Sequence, residues 1–281
     1  MNNQRIAAII LTKNEEQDLP ACLASLRGLA DEVYVIDSGS QDRTAEIARE
    51  SGAMVLEHPF VNHARQTNWA IENIPTEAGW VLLIAADERP CAQMRRSVRA
   101  IIESAPAHVL GVMLARRTVF LGQRLRFGGT FPVWLLRLWR RGAGRCEDRW
   151  MDEHVVLTGG ETTGGQTTRA NGELLHVIPK SLAEWSRKHV WYAERECLDL
   201  ARGAKGEELL GQAGLVRKAK IVYYEAPPLL RAVSFWAYRY FFRLGFLDGR
   251  VGFLYHFLQC AWYRMLVDGM LMEREAKSKA E

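Results

Sequence analysis

Over the first ninety positions, short blocks of apolar residues alternate with longer polar stretches of helical period. Ile6-Ala7-Ala8-Ile9-Ile10-Leu11 is a continuous apolar run bounded by polar residues. A run of that length fits a strand buried on both faces. Val33-Tyr34-Val35-Ile36 and Trp80-Val81-Leu82-Leu83-Ile84 read the same way, and Met54-Val55-Leu56 reads as a short strand. The stretches between them predict helices over 15–27, 42–51 and 62–73, with Asp42 as an N-cap and Glu46 in the first turn. Strand and helix in alternation imply a parallel sheet with right-handed crossovers.

Beyond residue 91 the pattern loosens. It predicts a helix near 92–103, strands near 109–120, then Gly- and Arg-rich loops. Thr158 to Gly172 is rich in Gly and Thr and predicts a loop. A helix near 181–203 and a glycine-bearing linker over 203–214 follow. From about 215 the chain becomes an aromatic and basic helical tail. Segment 229–244 combines Phe235, Trp236, Tyr238, Tyr240, Phe241 and Phe242 with Arg231, Arg239 and Arg243. Segment 251–272 is largely apolar but holds His256, Gln259, Arg264 and Asp268. Arg264 and Asp268 stand at i,i+4 spacing, which suits an ion pair. A membrane-spanning helix needs about 20 residues with few charges. Charges inside these segments favour helices lying on a membrane surface through 229–272. The alternative is a helical hairpin packed on the rest of the chain or on the partner in a homodimer. No fixed-period repeat is present.

Composition narrows the field. The chain has 281 residues, 48% of them hydrophobic, enough for a substantial core. A net charge of +4 is mild and gives no reason to expect nucleic acid as a partner. Nine tryptophans suit sugar stacking or a membrane interface. The five cysteines lack metal-site spacing, and their odd number argues against a disulfide framework, so a reduced, cytosolic protein is expected. No secretory leader is expected, because a strand begins directly after Met1-Asn2-Asn3-Gln4-Arg5.

The candidate chemistry sits at strand ends. Asp37 closes the second strand, and in open α/β sheets that end faces the ligand crevice. A carboxylate there suits a base-edge N–H or a ribose hydroxyl. The small Ser38-Gly39-Ser40 turn lets a ligand approach the backbone. The first strand ends in Thr12-Lys13-Asn14-Glu15, and the two units together outline a nucleotide-binding βαβ unit. A dehydrogenase would need G-x-G-x-x-G after the first strand, and that motif is absent. A nucleotidyltransferase would need a Gly-rich, basic phosphate loop there, which Thr12-Lys13-Asn14-Glu15 is not. Arg65, Gln66 and Asn68 fall at a helix start, where Arg65 can meet a phosphate or belong to a solvated face. Asp87 offers the oxygen donor that Mg²⁺ or Mn²⁺ prefers. His176, after Leu174-Leu175, is either a second ligand or a structural histidine.

Five motifs in order resemble glycosyltransferase family 2, the inverting GT-A enzymes that use nucleotide-diphosphate sugars. Thr12-Lys13-Asn14-Glu15 is similar to a T-x-N-E-type strand end, and Asp37-Ser38-Gly39-Ser40-Gln41-Asp42 to D-x-G-S-x-D. Gln66-Thr67-Asn68-Trp69-Ala70 resembles a Q-x-N-W/F-A helix, and Ala85-Ala86-Asp87-Glu88 a D-A-D-E strand end. Gly245-Phe246-Leu247-Asp248-Gly249 with Gly252-Phe253 resembles members acting in cell-envelope polysaccharide and lipopolysaccharide-core assembly. The resemblance covers nearly the whole chain.

It implies an α/β GT-A fold, a Rossmann-like mixed sheet flanked by helices, with a helical C-terminal extension. The division it suggests is 1–214 for the transferase domain and 215–281 for the extension. Within the first, 1–90 would hold the nucleotide sugar and 91–214 the acceptor. The implied activity moves a hexose, expected from a UDP-sugar, to a lipid-linked saccharide or lipopolysaccharide core. The protein would sit peripherally on the cytoplasmic face of the inner membrane. Thr12, Asn14, Glu15, Asp37, Ser38, Gly39, Arg65, Gln66, Asn68, Ala86, Glu88 and Arg137 are then the substrate-binding candidates. Asp87, with His176, would hold Mg²⁺ or Mn²⁺. Glu153, or Asp152 beside it, would be the catalytic base. Arg137 can instead form a salt bridge at the core edge. Ala85 departs from the pattern, standing where the first acid of D-A-D belongs. A natural variant compensated by Glu88 or Glu15, an inactivating substitution, and a degenerate, catalytically impaired binding protein are the competing explanations.

Overall fold

The computed structural model describes residues 4–147, 154–157, 166–178, 181–201 and 223–280. The chain forms two compact units. Met1–Thr118 with Pro132–Val177 make the first, and Val119–Phe131 with Ile178–Glu281 the second. The second unit thus joins a mid-chain loop to the helices that follow residue 178.

In chain order the elements are β1 (Ile6–Thr12), α1 (Leu19–Leu26), β2 (Glu32–Asp37), α2 (Thr44–Glu50), β3 (Met54–Glu57), α3 (His63–Asn73), β4 (Trp80–Ala85) and β5 (Glu88–Pro90). Then come α4 (Ala92–Ser104), β6 (Gly111–Phe120), β7 (Gln123–Arg124), β8 (Val133–Arg140), β9 (Gly144–Cys146), β10 (Val155–Leu157), β11 (Thr167–Arg169) and β12 (Leu174–Ile178). The main sheet runs β3-β2-β1-β4-β8-β6-β12-β5, with β11 beside β6. β1 pairs in parallel with β2 and β4, while β8 turns the sheet antiparallel. The sheet is thus parallel where the sequence alternates strand and helix, and mixed beyond it. Leu174–Ile178 and Thr167–Arg169 are strands where a loop or no element was expected.

The continuous apolar run of β1 has its reason in the packing. Ile6, Ala8 and Ile10 join α1 and α4 residues such as Leu23, Leu26, Met94 and Val98 on one face. Ala7 and Ile9 join Ala70 of α3 and Ile74 just after it on the other. Alternate residues of a strand point to opposite faces, so a strand covered on both sides must be apolar throughout.

The helical unit contains α5 (Leu182–Ala201), α6 (Leu230–Ala237), α7 (Gly249–His256) and α8 (Tyr263–Ala280), with π-turns at Tyr238–Phe242 and Phe257–Trp262 and a 3₁₀ turn at Gly245–Asp248. Ala193 and Cys197 of α5 pack with Tyr263 and Val267 of α8. The expected Arg264–Asp268 pair is not made. Asp268 instead accepts from buried Arg231 of α6, and Arg264 donates to Glu196 of α5 at 2.5 Å. Tertiary partners win because α8 is packed on two neighbours, and a buried charge must be satisfied by whichever group shares its interior. Among the described residues no helix is long and apolar enough to cross a membrane.

Candidate active site

Three adjacent parallel strands end together. Thr12 of β1 lies in register with Asp37 of β2, and Leu11 with Ala85 of β4. Polar residues following these ends share the carboxyl edge of the sheet, where crossover helices leave a crevice.

The turn after β2 is built around Asp37, which is 3% exposed. One carboxylate oxygen accepts the amides of Gly39 (3.0 Å) and Ser40 (2.8 Å). The other accepts the hydroxyls of Ser40 (2.5 Å) and Thr12 (3.1 Å). All four acceptor directions of the carboxylate are therefore used inside the protein. This is the group expected to bind a base or ribose. In the structure it shapes the turn, in which the Ser38 amide donates to the Thr12 carbonyl at 3.0 Å.

The turn after β1 interlocks with it. Asn14 has a left-handed backbone, φ 55°. Its side-chain oxygen accepts the Gln41 amide at 2.8 Å, while its own amide donates to Ser40 Oγ at 2.8 Å. A non-glycine residue in that conformation carries strain and persists only where the surroundings over-determine it. The Glu15 amide donates to Thr44 Oγ1 at 2.7 Å, and the Glu15 carbonyl opens the turn into α1. Lys13 was absent from the candidate residues, yet its Nζ caps the Ser38 and Gly39 carbonyls at 2.9 and 2.7 Å. Its place inside Thr12-Lys13-Asn14-Glu15 was the available signal. Asp42 binds the Thr44 hydroxyl and amide at the start of α2. Burial works to raise its pKa, but the bonds from Thr44 and the Glu16 amide prevail and hold it below the usual carboxylate range.

The helix candidates serve the frame. Buried Gln66 donates to Ser38 Oγ (3.1 Å) and pairs with His58 Nδ1 (2.7 Å), so α3 steadies the β2 turn. Asn68 bonds the Cys146 backbone twice, 2.8 Å each way, and pins β9 to α3. Arg65 is exposed, on the first turn of a helix capped by Asn62. It lines an open groove of about 680 Å³ with His58, Trp69 and Arg145.

At the end of β4 the structure joins two residues far apart in sequence. His176 of β12 is paired in register with Glu88 of β5, and this brings its Nε2 to 3.3 Å from Asp87 Oδ2. Both side chains are partly exposed. Glu88 lies the other way, 1% exposed, accepting the Ala85 amide (3.0 Å) and Arg137 (2.9 Å). Glu88 and Arg137, two substrate candidates, are thus each other's partners, as the salt-bridge alternative for Arg137 requires. Glu88 does not replace the missing acid at position 85, because its carboxylate is buried and occupied. The Ala86 side chain is buried in the core and leaves only its backbone for a ligand. Below the strand end, Cys22 is fully buried. Desolvation, helped by the Glu88 and Asp87 carboxylates, pushes its thiol far up, so it is an inert packing residue.

Among the described residues no three His, Cys, Asp or Glu side chains converge as a metal cage. Asp87 and His176 nevertheless fit a divalent cation. Mg²⁺-type sites commonly take one or two protein carboxylates and leave the other positions to water and substrate phosphates. Glu153 and Asp152 lie outside the described residues. They fall in the chain between the paired strands β9 and β10, whose ends are joined by the Glu147 amide on the His154 carbonyl at 3.0 Å.

The model of the family described as glycosyl transferase family 2 matches residues 7–154, and the chain belongs to that family. The lipopolysaccharide core biosynthesis glycosyltransferase LpsC of Rhizobium meliloti is 26% identical over 91% of this chain and 90% of its own. An uncharacterized glycosyltransferase of Rickettsia bellii is 36% identical over 36% of this chain, which spans about a third of that relative's length (34%). Among solved structures, glucosyl-3-phosphoglycerate synthase of Mycobacterium tuberculosis, in complex with Mn²⁺, UDP and glucosyl-3-phosphoglycerate, is 22% identical over 40% of this chain and 44% of its own, with a TM-score of 0.35. The mixed α/β sheet with helices C-terminal to it is the GT-A architecture that the resemblance to this family implied.

Proposed function

We propose that this family 2 protein is an inverting glycosyltransferase. It moves a hexose from a nucleotide-diphosphate sugar, a UDP-sugar in our reading, to a lipopolysaccharide-core or lipid-linked saccharide. The observation that carries the reading is the Asp87–His176 pair at 3.3 Å, on the same sheet edge as the interlocked Asn14 and Asp37 turns. The full-length likeness to LpsC supports the acceptor class.

The Ser38-Gly39 backbone and Thr12 edge would receive the nucleoside, with Asp37 and Lys13 holding that backbone in place. Asp87 and His176 would hold Mg²⁺ or Mn²⁺, which supplies charge stabilisation to the departing diphosphate. Glu153, with Asp152 as the alternative, would take the proton from the acceptor hydroxyl as its oxygen attacks the anomeric carbon in line. A single displacement needs one base and no enzyme nucleophile.

The work site in this reading is the cytoplasmic face of the inner membrane. Leu230, Val233, Phe241, Phe242, Leu247 and Phe253 of the helical unit are exposed large apolar side chains. Clustered exposure of this kind marks a protein or membrane contact.

A thermal-shift screen of nucleotide sugars with and without Mn²⁺ tests the donor, since a ligand that binds the native state raises the melting temperature. Transfer by the hit should fall roughly 10²-fold or more in Glu153→Gln, with donor affinity nearly unchanged. No shift with any nucleotide sugar overturns the proposal. Retained transfer in Glu153→Gln but not in Asp152→Asn moves the base to Asp152.

A further inference from the structure

The Gly245-Phe246-Leu247-Asp248-Gly249 motif has a structural task that leads to a second site. Its Asp248 carboxylate, buried, accepts the amides of Arg126 (3.0 Å) and Phe127 (2.9 Å), and its carbonyl accepts Gln123 Nε2 (2.8 Å). The loop from 123 to 130 is thereby tied to the C-terminal helices. His256 is fully buried under the same loop, where a side chain on Gly128 or Gly245 would strike its ring. The Gly128 amide donates to the Arg243 carbonyl (2.8 Å), and Arg239 Nε donates to the Gly128 carbonyl (2.6 Å).

This clamp brings two guanidinium groups to one glycine. A Cβ on Gly129 would stand 3.5 Å from Arg243 Nη2 and 3.9 Å from Arg239 Nη2. Gly129 has φ 71°, a conformation that suits glycine, and a side chain there would rest against both guanidinium groups. No carboxylate among the described residues is within ion-pair distance of either arginine. Phe241 and Phe242, which lie between them in sequence, are 53% and 79% exposed, and Leu244 beside them is exposed too.

We propose that Arg239 and Arg243, at the Gly128–Gly129 turn, bind the phosphate of an anionic lipid headgroup and so seat this apolar face in the bilayer. The inference rests on the reading that the protein works at a membrane, and it names what the surface recognises there. Two planar guanidinium forks match phosphate oxygens bidentately. A water-soluble anion would have no use for the exposed rings of Phe241 and Phe242 in the same segment. A headgroup phosphate has its acyl chains where those rings would insert.

The test floats the full-length protein with vesicles of phosphatidylcholine, with or without phosphatidylglycerol. A parallel calorimetric titration with UDP and Mn²⁺ reads the donor site separately. Binding should require phosphatidylglycerol. Arg243→Gln should weaken it about fivefold, and Arg239→Gln with Arg243→Gln about 25-fold, from the usual contribution of one basic residue near an anionic surface. Arg243→Lys should fall between Arg243→Gln and the parent. Arg250→Gln removes an exposed arginine at the start of α7 and should leave binding near the parent value. The Arg243 single variants keep the Arg239 bond to the loop, so they remain informative if the double variant misfolds. Equal losses from Arg250→Gln and Arg243→Gln would show diffuse charge attraction and overturn the proposal. Equal binding to both vesicle types would overturn the phosphate site and leave the membrane reading standing. Failure to float with either would overturn both, and an undiminished UDP titration would then show that the donor reading survives.

Discussion

Asp37 in the sheet unit and Asp248 in the helical unit do the same physical job over very different distances in sequence. Each is a buried carboxylate accepting two backbone amides. Asp37 reaches Gly39 and Ser40, two and three residues on. Asp248 reaches Arg126 and Phe127, more than 120 residues back. A local clamp can form with its own turn. A remote one requires the helices and the loop to be in place together. The difference predicts that damage at the sheet edge appears first in ligand chemistry, whereas damage in the helical unit appears first in folding.

The largest effect should test the first half of that statement. Asp87→Asn removes the anionic donor beside His176 while leaving strand pairing alone. Sugar transfer should fall by more than the roughly 10–100-fold typical of outer-shell partners of a metal. The melting temperature without ligand should move little. A large drop in that temperature, with transfer intact, would break the comparison at once.

Arg231→Ala tests the second half. It leaves the Asp268 carboxylate buried without its partner, and breaking a buried pair in this way costs about 3–5 kcal/mol. Denaturant titration of the full chain should show a loss of that size. A loss below about 1 kcal/mol would mean that the pair acts as an exposed one does.

The helical unit should also carry its own acid sensitivity. Burial, reinforced by the Arg239 charge, depresses His256 from the ordinary histidine value to about 4. Between that value and about 6.5 the unfolded chain binds a proton that the folded chain refuses. Stability is therefore full above about pH 6.5 and falls as the pH drops towards 4, by on the order of 3 kcal/mol. His256→Asn should flatten this part of the profile while lowering stability overall. An unchanged slope in that variant would assign the sensitivity to other groups.

The smallest effects sharpen the comparison directly. Asp37→Ala and Asp248→Ala each strand two amides, and an unsatisfied buried donor costs about 1–3 kcal/mol. Asp37→Ala should also weaken UDP binding in calorimetry, because the turn loses its shape. Asp248→Ala should leave UDP binding nearly unchanged. The reverse pattern would mean that the remote clamp, not the local one, governs the donor site.

The sequence was most legible where interactions are local. Runs such as Ile6–Leu11 and Trp80–Ile84 identified buried parallel strands because a strand covered on both faces admits no polar residue. The motif after β2 identified a tight turn at the strand end because its small residues and its acid are contiguous. The same motif did not say what Asp37 binds. Its acceptor capacity is consumed by Thr12, 25 residues away, and by Ser40 and Gly39 beside it. Asp87 and His176 were each visible as oxygen and nitrogen donors, but their meeting depends on the antiparallel register of β12 against β5. Glu88 and Arg137 looked like ligand groups until that sheet buried one against the other.

By itself, then, the sequence determined the strands of the first ninety residues and their parallel pairing, the family, and the chemical types gathered at the strand ends. Periodicity and contiguous motifs are properties of neighbouring residues, and a linear reading contains them. The tertiary structure alone decided which of these polar groups pair with one another. It exchanged the expected Arg264–Asp268 pair for Arg231–Asp268 and Arg264–Glu196, and it joined residues 123–130 to the helices more than 100 residues later. The reason is that a buried charge or amide must be satisfied by whatever the fold brings within hydrogen-bond distance, and that partner is set by packing in space rather than by spacing along the chain.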